Sequence, residues 1–209
     1  MKLFIAILCE VERTGWLCPA LVNWILSANT PPSVDAEVSL VCGYWPVSHA
    51  RCVAVERARA AGADWILQTD NDQAPHPETV ARIAVANERG IDVLGFATPT
   101  IAEGGDIIPN VQAGDVADAK HDELFEQVPE FGAGVLAVRM SVFERLLRPY
   151  FRVGINEQLE ECGVGHAVGE DLNFCRALRA AGVRLHIARS VGADHFKTVS
   201  LLSIFQRSG

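Results

Sequence analysis

ADWILQTDND, residues 63–72, decides the fold. Asp64-Trp65-Ile66-Leu67-Gln68-Thr69 reads as a strand, and it leads without a linker into Asp70-Asn71-Asp72. Two carboxylates cannot be buried cheaply, so they belong at the strand's carboxyl end, facing a cleft. On either side of this stretch, apolar runs alternate with helical patterns, the signature of an α/β chain with a largely parallel sheet.

Working outward, Leu3 to Cys9 (LFIAILC) reads as the first strand. Residues 15–28 place Leu17, Leu21, Trp24, Ile25 and Ala28 near a 3.6-residue period, a helix stopped by Thr30-Pro31-Pro32. Ala36 to Cys42 is a second strand. Residues 48–61 form a helix with Ser48 as N-cap and Gly62 as its stop. Pro77 opens another helix at its first position, ending at Gly90, and Ile91 to Ala97 is the next strand. Periodicity fades from 98 to about 128, long for a connection in a compact domain. VLAVR resumes as a strand after Gly132-Ala133-Gly134, and Ser141 with Glu144 reads as a capping box. Residues 149–168 read as irregular. A helix follows, ending near Ala181 with Gly182 as its stop, and Arg184 to Ala188 is the last strand. One domain over 1–195 with an apolar tail, 196–209, is the expected organisation.

The chain has 209 residues and a formal charge of −8, which excludes a broad basic field for nucleic acid or anionic lipid. Any phosphate must be held locally. Six cysteines show no zinc-type spacing and mostly sit in apolar or helical patterns, so free buried thiols and a reducing cytoplasm are expected. The N-terminal apolar run is too short for a leader, and no stretch reaches the ~20 apolar residues of a membrane span. The tail FKTVSLLSIF is apolar at helical spacing, suited to a homodimer contact or weak membrane association through 196–205.

Three elements carry chemistry, each with an ordinary structural reading beside it. Asp70 and Asp72 offer hard oxygens for Mg2+ or Mn2+ carrying phosphates, although Asp-Asn-Asp is also common turn chemistry. Asp171, after Glu170 in the first turn of a helix, is either a capping acid favoured by the macrodipole or a general base. His195 is either a surface residue or a metal ligand beside two carboxylates.

The order of these elements resembles the GT-A type glycosyltransferases, particularly the family 2-like group, over roughly Leu3 to His195. The segments that carry it are ADWILQTDNDQAPHPETV, FGAGVLAVRMSVFERL and GEDLNFCRALRAAGVRLHIARSVGADH. The resemblance implies a Rossmann-like, mixed but mostly parallel sheet flanked by helices. It implies metal-dependent transfer of a sugar from a UDP- or GDP-linked donor to an acceptor hydroxyl. Asp70 and Asp72 match the DxD motif, with Asp70 also near the ribose, and His195 completes the metal site. Asp171 matches the base, with Glu170 beside it at the acceptor. Gly132, Ala133 and Gly134 match the segment lining donor and acceptor. Arg51 matches a basic residue near the nucleotide, though it fits a solvated helix face equally well.

Where family 2 members carry acids after the second strand to read the base, this chain has VCGYWPVSH. Glu10, Tyr44 or Trp45 are the alternatives for that task. Inversion with Asp171 as base is the expected course; retention would need no base there. A catalytically silent nucleotide- or glycan-binding module and a nucleotidyltransferase are the competing classes. Against the latter, CEVERTGW lacks a Gly-rich basic phosphate loop.

Overall fold

The computed structural model describes residues 1–9, 17–101, 106–112, 122–161 and 164–196. At its centre is a seven-stranded sheet. In chain order its strands are β1 (Lys2–Cys9), β2 (Asp35–Cys42), β3 (Trp65–Asp70), β5 (Val93–Gly95), β9 (Phe125–Gln127), β11 (Val135–Arg139) and β14 (His186–Ala188). In space they run β2-β1-β3-β11-β5-β14-β9. The β2, β1 and β3 strands are parallel, β14 is parallel to β5, and β11 and β9 run against their neighbours.

Side-chain alternation sends the two faces of β1 and β3 into separate cores. Phe4, Ala6, Leu8 and Ile66 pack beneath α2 (Val47–Ala60) and α4 (Glu170–Ala180). Leu3, Ile5, Ile7, Trp65 and Leu67 face the other way, under α1 (Pro19–Ser27) and α3 (Thr79–Glu88). All nine side chains are buried, and each large one removed from water contributes about 1.5–3 kcal/mol. This two-sided burial is why these strands read as continuous apolar runs. β2 lies at an edge and is mostly exposed.

Four two-stranded ribbons decorate the carboxyl ends of the strands and the connections: β4 (Gln73–Pro75) with β15 (Ala193–His195), β6 (Pro99–Ile101) with β7 (Ile107–Pro109), β8 (Val111–Gln112) with β10 (Glu130–Phe131), and β12 (Gly154–Glu161) with β13 (Val164–Val168). The last corrects the irregular reading of 149–168. A register shift between Asn156 and Glu160 breaks the alternation that would have marked the hairpin.

Local signals were met unevenly. Gly62, Gly90 and Gly182 end their helices at φ of +66°, +69° and +71°, a region that costs any other residue. Ser48 is not an N-cap: α2 starts two residues earlier, from Pro46, whose carbonyl accepts from the His49 and Ala50 N–H groups. Pro77 is not the first residue of α3 but lies in a turn begun by His76, whose carbonyl accepts from Thr79 N–H. The Ser141–Glu144 capping box is absent too. Arg139 bonds to Asp92, and Met140 N–H to the Asp64 carbonyl, so a 3-10 helix, Met140–Arg145, is pinned before Ser141 is reached.

Cys9, Cys18, Cys42, Cys52 and Cys175 are free thiols; Cys162 lies outside the described residues. Among the described residues no helix is long and apolar enough to cross a membrane. The tail from 197 onward falls outside them.

Candidate active site

At the carboxyl ends of β1, β2 and β3 a pocket is lined by Leu8, Cys9, Tyr44, Trp45, Asp70, Asn71, Asp72, Gln73, Glu170 and His195, with Val47, Ala50 and Arg51 from α2. It encloses about 210 Å³, less than the ~300–1,000 Å³ of clefts that swallow a small ligand whole. A nucleotide-sized ligand would therefore project beyond the rim.

The Asp70-Asn71-Asp72 turn is held by backbone hydrogen bonds from three sides. Asp70 N–H donates to the Gly134 carbonyl, Asn71 N–H to that of Leu8, and Cys18 N–H to that of Asn71, each at 3.0 Å. The β4–β15 ribbon then fixes the remote partner: His195 pairs with Gln73, and Phe196 N–H donates to the Asp72 carbonyl at 2.8 Å. Tertiary strand pairing thus carries His195 to the acidic turn.

His195 Nδ1 is 2.9 Å from the Pro99 carbonyl oxygen, which can only accept, so in the neutral ring Nδ1 carries the hydrogen. Nε2 then presents its lone pair to Asp72 Oδ2, 3.5 Å away. Two acceptors face each other. An imidazole oriented by a backbone carbonyl next to a carboxylate is a fitting pair of donors for a divalent cation.

Asp70 is oriented differently. Arg51, 3% exposed, donates from Nη2 to Asp70 Oδ1 at 3.1 Å, from Nε to Glu170 Oε1 at 3.4 Å, and from Nη1 to Gln68 Oε1 at 3.4 Å. Its backbone carbonyl accepts from Gln68 Nε2 at 3.1 Å. The solvated-face alternative for Arg51 is therefore wrong, and its guanidinium is committed to protein carboxylates. Burial pushes the Asp70 carboxyl up to about 6, opposed by Arg51 and reinforced by Asp72 and Glu170. Among the described residues no group of three or more His, Cys, Asp or Glu forms a ready metal cluster. Asp72 and His195 are in side-chain contact, 3.5 Å apart.

Glu170 lines the pocket, whereas Asp171 is not among its described lining residues. One Asp171 carboxylate oxygen accepts from Leu172 N–H at 2.8 Å, at the start of α4. Gly132, Ala133 and Gly134 also stand back from the lining. The room left by Gly132 is filled by Asn110 and that left by Gly134 by Gln73. Glu10 lies outside the described residues.

Gln73 is the residue that sequence reading missed. It is 4% exposed and lines the pocket. Its only sequence signal is its place directly after the acidic turn. A Cβ at Gly134 would land inside the Gln73 carboxamide. Gly134→Ala is expected to cost about 1–3 kcal/mol by overpacking, read as a lower denaturation midpoint. An unchanged midpoint would mean that Gln73 moves aside freely.

No protein-family model matches the chain, and no curated protein matches it by sequence. Solved structures do match in shape. The A197 protein of STIV superposes with a TM-score of 0.64 at 17% identity, over 95% of this chain and 87% of that one. GalNAc-T7 with UDP, GalNAc and Mn2+ gives 0.61 at 11%, over 95% of this chain and 44% of that one. S. aureus TarS 1-349 with UDP-GlcNAc gives 0.55 at 13%, over 96% and 60%. The chain thus spans less than two thirds of the TarS and GalNAc-T7 chains. At these identities the likeness establishes the fold: a Rossmann-like GT-A architecture, a mixed sheet flanked by helices.

Proposed function

We propose that the chain is a metal-dependent glycosyltransferase that moves a sugar from a UDP- or GDP-linked donor to an acceptor hydroxyl. The observation that carries this reading is the Asp72–His195 pair, a carboxylate and an imidazole 3.5 Å apart at the acidic turn, with the imidazole orientation set by the Pro99 carbonyl. Structures of similar shape were solved with UDP-GlcNAc and with UDP, GalNAc and Mn2+, which supports a nucleotide sugar as ligand.

Asp72 and His195 would hold Mn2+ or Mg2+, which when bound supplies charge neutralisation for the leaving diphosphate. Arg51 holds Asp70 and Glu170 together in the pocket lining, and Asp70 is the residue we assign to the ribose. Glu170 accepts from Arg51 and is assigned to holding that guanidinium beside the acceptor. Asp171, bonded to its own helix's first turn, is the residue we assign to take the acceptor proton as displacement inverts the anomeric carbon.

The reading is tested by calorimetry of UDP and GDP with Mn2+. Asp72→Ala and His195→Ala are each expected to abolish the Mn2+-dependent part of binding, as is a chelator on the unmodified chain. Undiminished Mn2+-dependent binding by Asp72→Ala would refute the site. Donor hydrolysis in Mn2+ distinguishes an enzyme from a silent binding module.

A further inference from the structure

The pocket has two unlike halves. One is polar and holds Asp70, Asp72, Glu170 and His195; the other, from the end of β1, the residues after β2 and the start of α2, is walled by Leu8, Cys9, Tyr44, Trp45, Val47 and Ala50. Among the described residues this second wall carries no carboxylate. The acids of β2, Asp35 and Glu37, lie at its far end, where Asp35 pairs with Lys2 while Cys42 pairs with Cys9 at the pocket. Burial pushes the Cys9 thiol up to about 12, so that part of the floor is uncharged.

The two aromatic residues of the wall are not equivalent. Tyr44 is braced: His49 meets its ring edge-on, with centroids 5.4 Å apart, and the Arg57 guanidinium sits 5.9 Å from the ring centroid. Trp45 is 69% exposed, yet lines the pocket. A large indole left in water beside a ligand cleft leaves apolar area that a flat ring can cover.

We propose that the donor's nucleobase stacks on Trp45 and is read by its π-face rather than by hydrogen bonds, so that purine and pyrimidine nucleoside diphosphates are both accepted. This rests on the nucleotide-sugar reading of the pocket and adds how its base end selects. Stacking is tolerant because every base has a π-face. Selection among donors then falls to the sugar and metal end.

The test is titration of the unmodified chain with UDP, GDP and ADP in Mn2+, by calorimetry and indole fluorescence, with Mn2+ and inorganic pyrophosphate as a probe of the polar half. The three diphosphates are expected to bind within about tenfold of one another. Trp45→Ala should weaken all three by roughly 5- to 150-fold, and Trp45→Phe by less. Because Trp45 is exposed, the thermal midpoint of the alanine variant should stay put, and pyrophosphate should still bind to it. Equal nucleotide affinity in Trp45→Ala overturns the inference. So does one base preferred by more than about a hundredfold, which requires hydrogen-bond readout. Nucleotides that bind no better than pyrophosphate overturn it alone, whereas failure of both nucleotide and pyrophosphate to bind removes the nucleotide-sugar reading as well.

Discussion

Arg51→Met is expected to destabilise the chain by about 3–5 kcal/mol at pH 7.5, the usual cost of removing one partner from a buried ionic network. The guanidinium is 3% exposed and is shared by Asp70 and Glu170, whose side chains are 28% and 17% exposed. Removing it leaves two carboxylates close together with no local cation from that position. The loss should shrink in acid. Asp70, even with Arg51 in place, is pushed by burial up to about 6 from 3.8. A carboxyl group raised in this way binds its proton more tightly folded than unfolded. Its stabilising contribution is present below 3.8 and is lost as pH rises through about 6. Without Arg51 that loss deepens at neutral pH and vanishes once both acids are protonated. Urea unfolding at pH 4.5 and 7.5 checks this. A deficit equal at both pH values would mean that Arg51 stabilises by packing on Phe151, 5.9 Å from its guanidinium, and not by charge. Asp70→Asn makes the complementary case. It leaves Arg51 matched one-to-one with Glu170 and should be far better tolerated at pH 7.5.

Asp171→Asn should lower sugar transfer by about 10²- to 10⁴-fold, the range of general-base catalysis, with Mn2+-dependent nucleotide binding retained. The amide preserves shape and still accepts from Leu172 N–H but cannot take a proton. Glu170→Gln separates the neighbours. It weakens the tie to Arg51 and should disturb pocket assembly and affinity before chemistry. If transfer instead survives in Asp171→Asn and collapses in Glu170→Gln with binding intact, the base is Glu170, the residue that lines the pocket.

Much of this architecture was legible from residues 63–72 outward. Strands buried on both faces announce themselves, because their burial imposes an unbroken apolar run, as in β1 and β3. Direction does not: β11 reads VLAVR whether it runs with or against β3, and only the pairing of Val135 with Thr69 and Arg139 with Trp65 reveals the reversal. Cap assignments at Ser48, Pro77 and Ser141 failed because the backbone carbonyls of Pro46, His76 and Asp64 set where the chain turns into each helix, two residues earlier at α2, two residues later at α3 and at Met140 before Ser141. At the site, residue types at strand ends pointed to the acidic turn and His195, but not to what each side chain does. Arg51 looked equally suited to solvent or to phosphate because its partners, Asp70 and Glu170, are brought to it by two other elements. Gln73 was marked by nothing beyond its place after the acidic turn, since its burial goes with the absence of a side chain at Gly134.

The β4–β15 ribbon makes the proposed cation site a conformational clock. Asp72 and His195 lie more than half the chain apart in sequence, and their meeting requires the β15 strand to have closed onto β4. Contacts of such separation pay their loop-closure entropy before they yield anything, and form late. Local order at the acidic turn can therefore precede any competence to retain a divalent ion. During refolding, the recovery of Mn2+-dependent nucleotide binding would register completion of the native topology, lagging behind signals from the β1–β2–β3 core.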